Sequence, residues 1–233
     1  MGHFLELKPT PDQTFRIIGH GSRGDLVRTL ALSHEAEEQH DYERGCNIRY
    51  HAFQHIVELL PEDEPTPLDR NHPNTLAAME IVLGSGVDNF LAGDAELAAA
   101  QFELLLDCDS EDALGCTPML ALCYVALGEW DSLEDMMLDV DEKSALKPLL
   151  RAILTYAAEG DIDPATLAAL ARHREFCEEL LLAEHPTDER YVQDISSERP
   201  SRRALARELY LRCEPALVHH TELMSVLREH LRK

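Results

Sequence analysis

Three times in this chain an apolar run ends in glycine followed at once by an acid. Val87-Asp88-Asn89-Phe90-Leu91-Ala92-Gly93-Asp94 is echoed by Leu122-Cys123-Tyr124-Val125-Ala126-Leu127-Gly128-Glu129 and again by Leu154-Thr155-Tyr156-Ala157-Ala158-Glu159-Gly160-Asp161. The glycines lie 35 and then 32 residues apart. A tight helix–turn–helix needs a residue that accepts positive φ at the end of its first helix, and an acid suits the start of the second. The recurrence therefore predicts stacked helical hairpins of similar length.

Composition agrees with helix. Leu and Ala dominate the apolar residues, while Val and Ile, which lose side-chain freedom against the preceding helical turn, are sparse. The net charge is −23, so direct binding to nucleic acid or to an anionic membrane would bring like charges together. The middle of the chain carries most of this charge. Residues 61–160 hold twenty-one acids against four bases, a balance of −17, whereas residues 1–60 and 161–233 stand at −3 each. The six cysteines show no C-x-x-C pair and read as free thiols of a reducing compartment. With neither a leader-like N-terminus nor an apolar run of about 18 residues, the expected location is the cytoplasm.

Residues 1–24 read as an extended, glycine-rich lead-in whose one strand-like run is Thr14-Phe15-Arg16-Ile17-Ile18. Residues 25–60 read as a first helical hairpin ending at Pro61, and 61–73 as a Pro- and acid-rich connector, ordered or mobile. Repeats occupy 74–170. Residues 171–233 keep helical stripes, such as Phe176 with Leu180 and Leu223 with Leu227, and suit an enlarged cap over the apolar end of an array.

The spacing, with Tyr124 and Tyr156 four residues before their glycines, Ala98 and Ala165 five residues after, and Phe102 four further on, resembles the tetratricopeptide repeat, whose period is about 34 residues. Asn89 and Leu133 stand where that pattern has an aromatic and a small residue. Asp41-Tyr42-Glu43 resembles the same turn in the first hairpin. The resemblance implies an all-α fold of hairpins stacked as a short right-handed solenoid, with Gly93, Gly128, Gly160, Tyr124 and Tyr156 as structural turn residues. It also implies a non-catalytic scaffold whose concave groove binds another protein.

By that register the groove falls on Leu83, Val87 and Phe90, then Pro118, Leu122 and Val125, then Lys147, Leu150 and Leu154. These are apolar apart from Lys147, which disfavours capture of an acidic peptide tail. The expected occupant is an apolar helix of a partner or the chain's own tail, with a basic segment drawn to the acidic surface. The alternative for the same residues is plain core.

Other chemistry has weaker anchors. Gly19-His20-Gly21-Ser22-Arg23-Gly24 is a G-x-G-x-x-G after a strand-like run, but no second strand completes a dinucleotide-binding unit, so the expectation is a flexible lead-in with Asp25 as helix cap and no cofactor. His51 and His55 are four apart, near His40 and Cys46; without a third committed ligand, no metal site is expected. Two alternatives remain open: a small helical metal-dependent enzyme built on the His/Glu-rich first hairpin, and an acidic mimic that occupies a basic protein.

Overall fold

The computed structural model describes residues 4–61 and 65–232. Residues 1–3 of the lead-in, 62–64 of the connector and Lys233 of the cap lie outside the described residues. Among the described residues the chain is mostly helical, with twelve α-helices and one two-stranded sheet. It divides into two compact units, residues 1–116 and 117–233. The division falls inside the 74–170 stretch.

Unit 1 opens with a β-hairpin in the stretch expected to be an extended lead-in. β1 (Leu5–Pro9) pairs antiparallel with β2 (Phe15–Gly19), with Leu7 opposite Ile17. The expected strand is therefore present, but in a hairpin with a partner that the expectation omitted. The connector is ordered where described. Phe15 and Leu68 form a parallel bridge in which the Phe15 amide donates to the Pro67 carbonyl and the Asp69 amide to the Phe15 carbonyl, both at 2.8 Å. Ile17, fully buried, donates its amide to Thr75 Oγ1 at 2.9 Å, tying β2 to α3.

The helices follow as hairpins. α1 (Leu26–Glu38) packs on α2 (Tyr42–Val57), and α3 (Pro73–Leu91) packs on α4 (Ala95–Cys108) and on both earlier helices. In unit 2, α5 (Thr117–Leu127) packs on α6 (Trp130–Met136), and α7 (Leu146–Glu159) packs on α8 (Pro164–Leu170). α9 (Arg174–Leu181), α10 (Glu189–Ile195), α11 (Arg202–Leu217) and α12 (Thr221–Leu231) complete the chain.

The first three hairpins share one turn. His40, Gly93 and Gly128 have φ of 61°, 89° and 72°. The following amide of Asp41, Asp94 or Glu129 reaches back to the carbonyl of Ala36, Asn89 or Tyr124 at 2.8 to 2.9 Å, which satisfies a carbonyl that the helix end leaves open. Asp41 and Asp94 then cap the next helix through the amides of Arg44 and Leu97, whereas the longer Glu129 side chain makes no cap bond. The fourth turn differs. Gly160 is left-handed at 74° and donates to the Tyr156 carbonyl, but Asp163, not Asp161, caps α8, through the amides of Ala165 and Thr166. The expectation of positive φ at Gly93, Gly128 and Gly160 matches, while the acid assigned to the last turn moves by two residues.

Each unit holds a buried charged cluster. In unit 1 the Arg49 side chain, 6 % exposed, donates Nε and Nη2 to the two Asp88 oxygens at 2.7 and 2.9 Å and Nη1 to Glu37 at 2.6 Å, so one guanidinium joins α1, α2 and α3. Gly84 makes room, since a Cβ there would lie 2.7 Å from Arg49 Cδ. In unit 2 Glu179, 1 % exposed, accepts from Arg207 at both oxygens (3.1 Å each) and from His185 Nδ1 at 2.9 Å. An ionised carboxylate only accepts, so Nδ1 carries the hydrogen. The His185 ring stacks on Tyr210 at 3.7 Å between centroids, and Arg207 Nη1 holds the Pro186 carbonyl.

Arg49→Ala strands two carboxylates, and the general cost of breaking a buried pair, about 3–5 kcal/mol, falls to about 3 kcal/mol here because Glu37 is 36 % exposed; Glu37→Gln, which leaves the Asp88 pair intact, costs about 1 kcal/mol in urea melts. Burial raises the Glu179 pKa, but the bonds from Arg207 and His185 outweigh it and hold the carboxyl below its ordinary value. A depressed folded-state pKa gives stability that is fully present above the ordinary glutamate value of about 4.3 and is lost as pH falls through the folded value. Unfolding followed by the fluorescence of Trp130, the single tryptophan, should lose stability below about pH 4.5, and less steeply in Glu179→Gln.

Candidate functional site

The residues expected to form a groove are distributed otherwise. Phe90, Leu122, Val125 and Leu150 are 0 to 1 % exposed, so they are core and present nothing to a partner. Of the two occupants expected, the chain's own tail packs against α5: α11 lies on it, and His220 Nε2 bonds the Val125 carbonyl at 2.8 Å. Pro118 stands exposed, and Leu83 and Val87 are half-buried on α3 in unit 1. Lys147, read as a groove base, is 5 % exposed; its Nζ donates to the Val140 carbonyl at 2.9 Å and pairs with Glu142 at 2.6 Å. A single ammonium so engaged offers no free charge to a ligand. Tyr124 and Tyr156 are half-buried and serve their turns through backbone carbonyls.

Leu154 alone of that set lines an open cleft, between α6 and α7, with a volume of about 710 Å³. The α7 wall carries Arg151, Leu154, Thr155, Ala157 and Ala158. The Thr155 hydroxyl is spent on the Arg151 carbonyl at 2.6 Å. The α6 side carries Trp130, Met137 and Leu138 with the carboxylates of Asp131, Glu134 and Asp135. Leu138 is 87 % exposed, the most exposed of the chain's large apolar side chains among the described residues, and it stands beside Trp130, Met137 and Leu154 in the same cleft rather than singly. Trp130 is half-buried, its ring 5.6 Å from that of His220.

Lys147 explains how this wall is held. It sits on α7 and grips the carbonyl of Val140 and the carboxylate of Glu142, in the segment that follows α6 and carries Met137 and Leu138. Trp130, Leu138 and Arg151 stand outside the groove expected from the repeat register, and Ala157 and Ala158 enter that register only as part of the third repeat. Residues 129–142 did carry a signal, seven acids with no base beside Trp130 and Leu138.

The other candidate chemistry resolves into structure. The glycines of Gly19–Gly24 let two backbone strands cross: a Cβ at Gly19 would lie 1.8 Å from the Gly24 carbonyl oxygen, and one at Gly24 would lie 2.2 Å from that of Phe4. Asp25 caps α1 through the Arg28 amide, as expected, and Asn74 in the adjoining hollow is engaged by Leu26 and Ile17. His51 and His55 are exposed, with Gln54 and Glu58 as neighbours. Among the described residues no group of three or more His, Cys, Asp or Glu is placed to hold a metal ion. Burial pushes the thiols up, to about 12 for Cys108 and Cys213 and about 11 for Cys177, so they stay protonated and poorly nucleophilic. No described helix is long and apolar enough to cross a membrane.

No family model, curated protein or solved structure matches this chain.

Replacing Lys147 with Met leaves the Val140 carbonyl without its donor, at a cost of about 1–2 kcal/mol. Amide exchange across 137–142 should quicken in this variant while that of α3 stays unchanged.

Proposed function

We propose that this protein is a non-catalytic interaction module that holds a segment of another protein in the α6–α7 cleft. The observation that carries the reading is the cleft itself: an open trough whose apolar lining, its floor for an occupant, is Trp130, Met137, Leu138 and Leu154, with the small Ala157 and Ala158 beside them. Apolar troughs between helices are how helical proteins receive amphipathic partner helices, and a residue as exposed as Leu138 gains most from being covered.

Three features support the finer proposal that these hairpins are tetratricopeptide-like. They are the left-handed residue and following acid shared by the turns at His40, Gly93 and Gly128, the spacing of Gly93, Gly128 and Gly160, and the packing of α7 on both α5 and α6. The binding surface in this reading is not the concave groove that the resemblance implies. It is the α6–α7 trough.

The test is site-directed photocrosslinking. A photoreactive residue at Leu138 should capture a discrete protein in native lysate, and the same residue at exposed Tyr42 in unit 1 should not. An Ala157→Glu variant, folded by circular dichroism, should lose that product at least tenfold. Capture that is equal from both positions, or unaffected by Ala157→Glu, refutes the reading.

A further inference from the structure

The walls of the cleft differ in charge, and the difference specifies an occupant. Asp131, Glu134 and Asp135 stand at i, i+3 and i+4 on α6, hence on one face. All three are exposed, and none has a hydrogen bond or ion pair among the described residues. No base lies in α6 or in the segment up to Glu142 to offset them, so the face repels itself, and like charges at this spacing weaken a helix. The α7 wall is neutral apart from Arg151, which is exposed and also lies close enough to Asp163, at the start of α8, to favour that carboxylate.

From this asymmetry we infer that the occupant is a basic amphipathic helix, with an apolar stripe on the Leu138–Leu154 floor and lysines or arginines along the flank that meets α6. The inference rests on the proposed use of the cleft and adds its chemistry. Arg151 to Ala158 spans about 10 Å of helix axis, so the trough receives about two turns of the occupant. Two turns present apolar residues at i, i+3, i+4 and i+7 to the floor, and the positions beside that stripe on one side face three unpaired carboxylates. Basic residues there relieve the repulsion on α6 and speed encounter at low salt.

Trp130 lies in the cleft and is the only tryptophan, so its fluorescence reads occupancy directly. The probes are three tryptophan-free synthetic peptides of about 18 residues: a Leu-striped helix with Lys flanks, the same stripe with Gln in place of Lys, and the Lys peptide with its Leu positions scrambled. Titrated into the intact chain, the Leu/Lys peptide should bind at least tenfold more tightly than either of the others. Its advantage over Leu/Gln should vanish in the triple variant Asp131→Asn, Glu134→Gln, Asp135→Asn. It should persist within about twofold in Glu35→Gln, Glu38→Gln, Glu43→Gln, which removes the same charge from exposed positions of unit 1.

If Leu/Lys and Leu/Gln bind equally and both are lost in Ala157→Glu, the trough binds helices but the basic occupant is wrong. Equal binding of the scrambled Lys peptide means that only diffuse charge is at work and also overturns the inference. If neither striped peptide moves Trp130 fluorescence, or Ala157→Glu changes nothing, the trough reading falls with it. Self-association of the intact chain that Ala157→Glu abolishes identifies a second copy as occupant and overturns the basic helix.

Discussion

The turn that closes each helical hairpin is the constraint on which the other features depend. A helix ends with carbonyls that have no partner within it, and the next helix begins with amides in the same position. At His40, Gly93 and Gly128 one residue in the left-handed region lets the following amide reach back five residues, and the acid beside it is placed for the next helix's amides. At His40 and Gly93 both deficits are met within a few residues, and at Gly128 the carbonyl deficit alone is, so the second helix turns back along the first. His40 shows that geometry, not glycine as such, is required: it stands at 61° at a modest steric cost. Short turns of one kind therefore give hairpins of one kind; α6 inherits its placement from the turn at Gly128, while α7 is held to the segment after α6 by Lys147.

Packing within each unit is then made specific by charge. Apolar helix faces tolerate sliding, because the burial energy depends on area more than on which residue meets which. A guanidinium held by Asp88 on both oxygens and by Glu37 has no such tolerance, since each donor leaves its partner unsatisfied if displaced. Arg49 thereby fixes the register of α1, α2 and α3. Glu179 does the corresponding work in unit 2, joining α9 to α11 through Arg207 and drawing the segment of His185 and Pro186 onto both. His185 Nε2 is buried without a partner in the structure, so the ring is held by Nδ1 and by stacking on Tyr210 alone.

Much of this was readable from sequence, and what escaped did so for physical reasons. Helical class and the turns at Gly93, Gly128 and Gly160 follow from local rules, and local rules are what a single chain displays. β1 escaped although Leu5-Glu6-Leu7-Lys8 alternates with period two, because a five-residue strand becomes evident only through its partner, with Leu7 opposite Ile17. The positions assigned to the groove carried correct helical periodicity on the wrong side. Periodicity shows that Leu122 and Val125 share a face with neighbours, but which face is covered depends on α11, some eighty residues later. Lys147 was legible as a lone base among apolar residues; that it turns inward to the Val140 carbonyl was not.

The open trough is a consequence of unequal partners. α6 has seven residues and α7 fourteen, about 10 Å against about 21 Å of axis. The shorter helix can cover at most half of the longer one, and along the part of α7 that faces α6 the side chains include the small Ala157 and Ala158, which leave space between the two helices. The space is bordered by exposed Leu138 and by three acids without partners. Exposed apolar surface and like charges on one helical face each disfavour the free chain, and the proposed amphipathic basic helix would relieve both. That convergence, more than any single residue, makes the trough the place where function should be sought.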